Sequence, residues 1–378
     1  MNKNWLMGFG LAFVLAACEQ AIIPQPDSGP AEDFSGHPKH GVYQKAVEAY
    51  VKSNRIPGAV VLLKKEGEPV WIGAAGYANL EHQTPARINT PFRVGSITKT
   101  FVATAAMQLV DEGRLQLDRT LPELLPEVKD RIPQAEKITL RHLLTHTSGL
   151  VDPNNDDIQY QLDLVNNPAR RRAMSADEVL SRYVYDRPLA FEPGERYGYS
   201  NPGYLLIGKI LERVTGKSLA ALVDERVVRP LGLTQTYLDR RDDRQVARGY
   251  AYFYGNNRLM DVTDLDRADA ESNAYGGLIS SAPDLFRFSE ALFGGKLMSA
   301  SALREMMTPF PVRKGESTYG LALDQWPSSV LGTGFGNNGT LAGAESNVFY
   351  FPAKKATFVL LTNYGTGTRK DFLEEVLN

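Results

Sequence analysis

Residues 92–100 read FRVGSITKT, and this stretch joins a short apolar strand to a long alanine-rich helix. Ser96 and Lys99 are three residues apart at the predicted first turn, so their side chains share one helix face. One interpretation is structural, with the serine capping the helix and the lysine solvated. The other is catalytic, because a buried lysine with a lowered pKa can take the proton of a serine nucleophile. The helix N-terminus also favours the negative charge that develops there.

The residues on either side of this stretch predict regular elements. Residues 42–54 have apolar side chains at helical spacing, and residues 56–79 contain two β-rich runs that predict a hairpin. Residues 98–117 predict an apolar helix that ends at Gly113. The chain therefore begins its folded part with a helix, two strands and a buried helix.

The remainder of the chain is first helical and then β-like. From about residue 117 to residue 230 the pattern is mostly helical, although residues 151–172 are polar and typical of an insertion or surface loop. Short β-like runs return after residue 235, and residues 369–377 predict a last helix. This order predicts an α+β fold with an antiparallel sheet assembled from both ends of the chain. N- and C-terminal helices flank that sheet, and the helical subdomain, at about 117–230, is inserted.

A second polar group that could relay a proton occurs in residues 191–218, FEPGERYGYSNPGYLLIGKILERVTGKS. Tyr199 and Asn201 form a Tyr-x-Asn triplet there, although two other such triplets occur in the chain. A structural interpretation is also available, with Asn201 capping a helix, Pro202 at the first helical position and Tyr199 in the core. Both interpretations can hold together, because a helix N-terminus is a rigid mount for a functional side chain.

Four stretches together resemble the serine β-lactamase-like superfamily. They are FRVGSITKTF, LRHLLTHTSGL, FEPGERYGYSNPGYLLIGKILERVTGKSL and GGLISSAPDLFRF, and they occur in the family's order. The superfamily includes class C β-lactamases, low-molecular-weight penicillin-binding proteins, D-amino-acid peptidases and related esterases. The resemblance covers about residue 40 to the C-terminus and implies the β-lactamase/transpeptidase-like fold. It also implies that Ser96 is acylated, that Lys99 and Tyr199 share proton transfer, and that Asn201 contacts the substrate.

The third element of the resembled family is a strand motif, Lys/His-Thr/Ser-Gly, that lines the substrate channel. Its best match is GFGNNGTLAGAES, which places the motif on Asn337, Asn338 and Gly339. Asn337 stands where a cation is usual, so the match favours a neutral ester or amide over a substrate with a free carboxylate. By the family's geometry, Thr340 and Ser96 would supply the backbone N–H groups of an oxyanion hole.

The first 18 residues predict a signal peptide rather than part of the fold. Lys3 precedes an apolar run that ends in Leu-Ala-Ala-Cys, which resembles a bacterial lipobox with Cys18 as the lipidated residue. An ordinary signal peptide cut nearby, with this single cysteine incidental, is the alternative. Residues 19–38 predict a flexible tether, and residues 39–378 the hydrolase domain. We therefore expect a periplasmic protein of the bacterial cell envelope that is anchored to the membrane only through its lipid. By analogy with other lipoproteins, this is the outer membrane.

Other classes of site have less support in the sequence. A net charge of −2 without a basic block gives no reason to expect nucleic acid. His142 and His146 are four residues apart but lack a third metal ligand, so we expect a structural helix end and no metal or organic cofactor. Asp152 and residues 154–157 are predicted to be solvated loop charges. Residues 273–277, NAYGG, are either the channel rim or an ordinary turn.

The sequence thus predicts a serine hydrolase that works through an acyl-enzyme on an ester, amide or peptide bond. The expected substrate is a small molecule, an ester or a peptidoglycan-derived peptide. D-Ala carboxypeptidase, D-amino-acid peptidase, esterase and β-lactamase activities are not separated at this level. A catalytically weak or inactive penicillin-binding-like sensor or envelope scaffold is the alternative, as is a structural lipoprotein.

Overall fold

The computed structural model describes residues 36–241, 243–252, 258–365 and residue 372. All of them belong to one unit, Ala31–Asn378. The predicted signal peptide, nearly all of the predicted tether and the predicted last helix lie outside the described residues and stay predictions.

The described residues alternate between short strands and helices. The strands, in chain order, are β1 Gly58–Lys64, β2 Trp71–Asn79, β3 Thr84–Pro85, β4 Phe92–Arg93, β5 Tyr250–Tyr252, β6 Leu259–Asp261, β7 Ile279–Ser280, β8 Asp324–Ser328, β9 Gly332–Leu341, β10 Ala344–Phe351 and β11 Ala356–Thr362. The α-helices are α1 His40–Ser53, α2 Ile97–Asp111, α3 Leu121–Leu124, α4 Leu140–Leu144, α5 Pro153–Asp156, α6 Ile158–Asn166, α7 Pro168–Ala173, α8 Ala176–Tyr183, α9 Asn201–Thr215, α10 Leu219–Val223, α11 Thr263–Ala270, α12 Ala282–Phe293 and α13 Ala300–Met307. A π-helical turn, Asp224–Val228, continues α10.

The central sheet is antiparallel and has the order β3-β2-β1-β11-β10-β9-β8. Strand β1 pairs with β11, with Val61 opposite Leu360, so the two ends of the chain meet in the middle of the sheet. Alternate residues of β1 enter different cores: Val60 packs on the side of α2, whereas Val61 packs on the side of α1. Burial on both faces explains why β1 is a continuous apolar run in the sequence. The sheet and the inserted helices confirm the predicted fold class.

Helix α2 is central to the larger core. Twelve of its fifteen residues are buried, and Phe101 stacks on Phe288 of α12 with 3.8 Å between ring centroids. Gly95, just before the helix, has a φ of +48°, a left-handed conformation that glycine adopts at low cost. The backbone of Gly339 in β9 lies against it, because a Cβ added at Gly339 would be 2.0 Å from Val94 O. Two glycines therefore let β9 approach the start of α2.

The described residues between β4 and β5 contain helices and no named strand. Residues 151–172, expected to be an insertion or a surface loop, form α5, α6 and most of α7, so the surface-loop alternative was wrong. Tyr160 is 1% exposed and Arg171 is 4% exposed, because both pack against the segment that follows α11. The polar composition of this segment gave no apolar periodicity that predicts helices, because the buried side chains named above are a phenol and a guanidinium. No helix within the described ranges is long and apolar enough to cross a membrane.

Candidate active site

Ser96 occupies the position before α2 but does not cap it. Its side chain makes no capping hydrogen bond, and Thr98 Oγ1 instead donates to Gly95 O at 2.6 Å. The Ser96 Oγ lies 2.6 Å from the Tyr199 hydroxyl and accepts a hydrogen bond of 2.9 Å from Lys99 Nζ. The serine hydroxyl is thus held between a phenol and an amine, and the capping interpretation does not describe it.

Lys99 is a wholly buried lysine, with 0% of its surface exposed. Its Nζ donates to Ser96 Oγ at 2.9 Å, to Asn201 Oδ1 at 2.8 Å and to Tyr275 O at 2.7 Å. Burial lowers the pKa of Lys99 to about 7, although the charges of Asp152 and Asp269 oppose that shift. Both the ammonium and the free amine are therefore present near neutral pH, so this side chain can release and accept a proton.

Tyr199 completes the group around the serine. Burial raises the pKa of the Tyr199 phenol well above its usual range, so the phenol keeps its proton near neutral pH. It can therefore pass a proton on only while it receives one, as a relay does. The ring of His146 lies 4.2 Å from the ring of Tyr199, and His146 Nδ1 accepts a 3.1 Å hydrogen bond from Ser200 N. The histidine thus fixes the segment that carries the phenol.

The two histidines considered as metal ligands are used separately. Burial, with a smaller effect from Lys99, lowers the pKa of His146 well below its usual value, so this ring is neutral. His142 lies on α4, where its Nδ1 accepts from Thr139 N at 3.3 Å in a capping box. Across the described ranges no group of three or more potential metal-ligating side chains is found.

Asn201 begins α9, and Ser200 rather than Asn201 is its N-cap. The side-chain nitrogen Nδ2 of Asn201 donates to both carboxylate oxygens of Asp152, at 3.2 and 3.3 Å. Asp152 was predicted to be a solvated charge, and that prediction was wrong: it is 3% exposed. Pro153 begins α5 and Asn155 Nδ2 donates to the Asp152 carboxylate at 2.6 Å, which turns the carboxylate inward. Burial raises the pKa of Asp152 to about 6.

The predicted third motif lies on β9 beside the serine. Asn337 is buried and its Nδ2 donates to Thr100 Oγ1 and to Ala322 O, both at 3.2 Å, so its amide fastens the strand to the α2 side of the site. Asn338 and Thr340 line the cleft. A Cβ added at Gly339 would lie 2.7 Å from the Ser96 N atom, which shows how closely the strand backbone approaches the serine.

Residues 273–277 form a turn at the edge of the site. Asn273 Oδ1 accepts hydrogen bonds from Tyr275 N and Gly276 N at 3.1 and 3.0 Å. This turn directs the carbonyl of Tyr275 at Lys99, and Gly276 lines the cleft. Sequence reasoning missed the Tyr275 carbonyl, since a backbone acceptor leaves no trace in residue type.

A cleft of about 460 Å³, open to solvent, contains the serine. Its acidic residues are Asp269 and Asp324, and within the described part of the chain no lysine or arginine lines it. The lining residues are Gly95, Ser96, Asn154, Asn155, Tyr197, Tyr199, Asn201, Asp269, Tyr275, Gly276, Tyr319, Asp324, Asn337, Asn338, Thr340, Leu341 and Ala342. The walls that the described residues form are therefore polar and contain no lysine or arginine.

Comparison with known proteins identifies the family of the chain. A family profile described as Beta-lactamase matches residues 43–377, and the chain belongs to that family. The chain is 36% identical to Esterase EstB of Burkholderia gladioli over 188 residues, which is 48% of this chain and 47% of the esterase. It is 27% identical to Penicillin-binding protein 4* of Bacillus subtilis over 322 residues, covering 80% of this chain and 67% of that protein.

A solved structure gives the same assignment. The D-stereospecific amidohydrolase from a Streptomyces species superposes with a TM-score of 0.78 at 29% identity, over 90% of this chain and 98% of that one. Relatives and structural neighbours are thus hydrolases of the β-lactamase fold. The alignment to the esterase spans about half of its length, whereas the structural match spans nearly all of the amidohydrolase.

Proposed function

We propose that this protein is a serine hydrolase that forms an acyl-enzyme on Ser96 and cleaves ester or amide bonds, peptide bonds included. One observation carries the proposal. The serine hydroxyl lies within hydrogen-bond distance of the Tyr199 hydroxyl, at 2.6 Å, and of Lys99 Nζ, at 2.9 Å, while the lysine is wholly buried. A capped helix with a solvated lysine needs neither contact.

Acylation begins when Ser96 Oγ attacks the substrate carbonyl carbon. As the Oγ–C bond forms, the hydroxyl proton passes to neutral Lys99, and the carbonyl electrons move to the oxygen. The resulting oxyanion is placed near the backbone N–H groups of Ser96 and Thr340, where β9 meets the start of α2. Collapse of this intermediate breaks the bond to the leaving group, which takes a proton from Tyr199 while Lys99 returns one to the phenol.

Deacylation repeats these steps with water as the nucleophile. The water gives a proton to the same pair, its oxygen bonds to the acyl carbon, and the bond from that carbon to Ser96 Oγ breaks. The serine regains its proton and the carboxylic acid leaves. The enzyme returns to its starting state, and no redox partner is consumed.

The cleft supports a substrate without a free carboxylate at the third motif. Asn337 places a neutral amide there, whose Nδ2 donates to Thr100 and Ala322 and whose Oδ1 accepts from Asn338 N. A cleft without lysine or arginine in the described ranges, and with Asp269 and Asp324 in its lining, repels a substrate that carries a free carboxylate. Neutral esters and amides are therefore preferred to penicillins and to peptides ending in D-alanine carboxylate.

The test uses the full-length protein and two covalent probes. Intact mass is recorded after incubation with a fluorophosphonate and, separately, with a fluorescent penicillin. Wild type, Ser96→Ala and Ser301→Ala are compared, the last because Ser301 is exposed on α13. We expect one fluorophosphonate adduct that is lost only in Ser96→Ala, and weak labelling by the penicillin.

Each other result has a definite meaning. Labelling that persists in Ser96→Ala would show that another serine is activated. Absence of labelling in wild type would remove the hydrolase proposal and favour the sensor or scaffold. Labelling without turnover of p-nitrophenyl esters would also favour the sensor, because a sensor is acylated but does not release its acyl group.

A further inference from the structure

We infer that Asp152 is a positioning residue for acylation, because its carboxylate sets the Asn201 amide with Oδ1 rather than Nδ2 facing Lys99. The inference rests on the proposed function. It concerns a residue that touches neither the serine nor the reacting atoms.

The contacts of Asp152 allow one orientation of the amide. The carboxylate accepts from Asn201 Nδ2 at 3.2 and 3.3 Å and from Asn155 Nδ2 at 2.6 Å. An ionised carboxylate has acceptors only, whereas an asparagine amide has a donor end and an acceptor end of nearly equal shape. The donor end of Asn201 must therefore face Asp152, and its Oδ1 is left to accept from Lys99 at 2.8 Å.

That orientation matters because the Lys99 ammonium needs three acceptors. They are Ser96 Oγ, Asn201 Oδ1 and Tyr275 O, and the lysine is fully buried, so water does not replace a missing one. If the Asn201 amide turned over, its Nδ2 would point at Nζ, donor against donor. The amine would then move away from the serine that it deprotonates.

The carboxylate also acts on Lys99 through its charge. Asp152 raises the pKa of Lys99 and so opposes the lowering by burial. The other titratable groups facing Lys99 are Asp269, His146, Tyr199, Tyr204 and Tyr275. Acylation needs the neutral amine, which is present above the pKa of Lys99. Removing the charge of Asp152 lowers that pKa further and moves the acidic limb of the rate profile to lower pH.

The experiment measures, as a function of pH, the rate at which a fluorophosphonate phosphonylates Ser96 with loss of fluoride. This reaction needs the same deprotonation of Ser96 Oγ as acylation, and time-resolved intact mass follows it. The proteins are wild type, Asp152→Asn, Asp156→Asn, Ser96→Ala and the double variant Asp152→Asn/Asn201→Asp. Asp156 is exposed at the end of α5, the short helix that follows Asp152, and carries the identical substitution as a control. Thermal unfolding of each protein gives its folded fraction.

In Asp152→Asn we expect phosphonylation of Ser96 to slow by about 10- to 100-fold, which a lost hydrogen bond to a charged group gives. The acidic limb of its rate profile should move to lower pH. Asp156→Asn should match wild type. The double variant keeps one carboxylate but places it against Lys99 Nζ, which raises the pKa of the lysine. The acidic limb of its rate profile should therefore lie at higher pH than that of wild type. The double variant should also recover rate over Asp152→Asn at alkaline pH, because a carboxylate at position 201 presents only acceptors to the lysine.

Several outcomes would overturn the inference. A wild-type rate and limb in Asp152→Asn would show that the amide needs no fixing. A slower rate that only follows the folded fraction, with an unmoved limb, would make Asp152 merely structural. A moved limb at an unchanged plateau would leave a charge effect without positioning. If Asp152→Asn does not fold, the limb of the double variant decides. If wild type does not react with the fluorophosphonate at Ser96, the proposed function fails and this inference fails with it.

Discussion

Gly339 should not tolerate even a methyl group, because the strand that carries it runs against the start of α2. A Cβ at this position would lie 2.0 Å from Val94 O, 2.7 Å from Ser346 Oγ and 2.7 Å from Ser96 N. Ordinary contact begins at 3.4 Å, so β9 and the serine segment must separate by about 1.4 Å in Gly339→Ala. Neither Val94 O nor Ser96 N can rotate away, since both belong to the backbone.

The expected loss follows from that displacement. A misplacement of about 1 Å at reacting groups costs on the order of 100-fold in rate. Overpacking of this kind also lowers the free energy of unfolding by about 1–3 kcal/mol. The rate should therefore fall much further than the folded fraction. Gly41→Ala is the control, because Gly41 lies in α1 with nothing within 4 Å of an added Cβ.

The assay is p-nitrophenyl ester hydrolysis, normalised to the folded fraction from thermal unfolding. We expect kcat/KM of Gly339→Ala to fall by about 100-fold while Gly41→Ala is unchanged. Equal activity and equal melting temperature in Gly339→Ala and wild type would refute the reasoning. Such a result would mean that β9 can move without affecting the serine.

Three more expectations concern other parts of the chain. Because burial lowers the pKa of Lys99 to about 7 and the neutral amine is the base, ester hydrolysis should rise as pH passes upward through that value. Lys99→Met should lose about 10²- to 10⁴-fold in kcat/KM, and a flat profile in wild type would contradict the assignment. Phe101→Ala removes a ring stacked on Phe288 and should lower the free energy of unfolding by about 3–5 kcal/mol in urea titration. Exposed Val42→Ala should change it little. Mass spectrometry of the mature N-terminus should find an acylated Cys18, and Cys18→Ser should leave the membrane fraction; an unmodified cysteine would contradict lipidation.

The parts of the fold that sequence predicts are those whose pattern is local. Helix α2 and the β1–β2 hairpin follow from apolar periodicity and from a turn between two β-rich runs. The order of elements also predicts the sheet, since β1 and β11 pair antiparallel. The family resemblance is confirmed by the profile over residues 43–377 and by the amidohydrolase structure. The roles assigned to single residues remain predictions, although the structure brings Ser96, Lys99, Tyr199 and Asn201 together.

What sequence reasoning missed depends on tertiary contacts. Asp152 has the same residue type as a solvated charge, and only its position beneath Asn201 distinguishes it. Tyr160 and Arg171 lie in a polar segment whose helices are stabilised by contacts with Tyr275 more than 100 residues away. The carbonyl of Tyr275 belongs to the backbone, so no motif could indicate it. Each of these signals arises after folding and leaves no periodicity behind.

The pairing of β1 with β11 makes the reactivity of the serine depend on the C-terminal part of the chain. The serine is encoded in the first third of the chain, yet β9 must lie against it, and β9 is joined to the N-terminal hairpin only through β10 and β11. In a chain that lacks Ala356–Thr362, nothing joins β9 and β10 to the N-terminal hairpin, so we expect β9 not to be held beside Ser96. Such non-local pairing also makes folding slow. We therefore expect Ser96 to become reactive only once β11 has paired with β1, and a chain cut short before β11 to be inert.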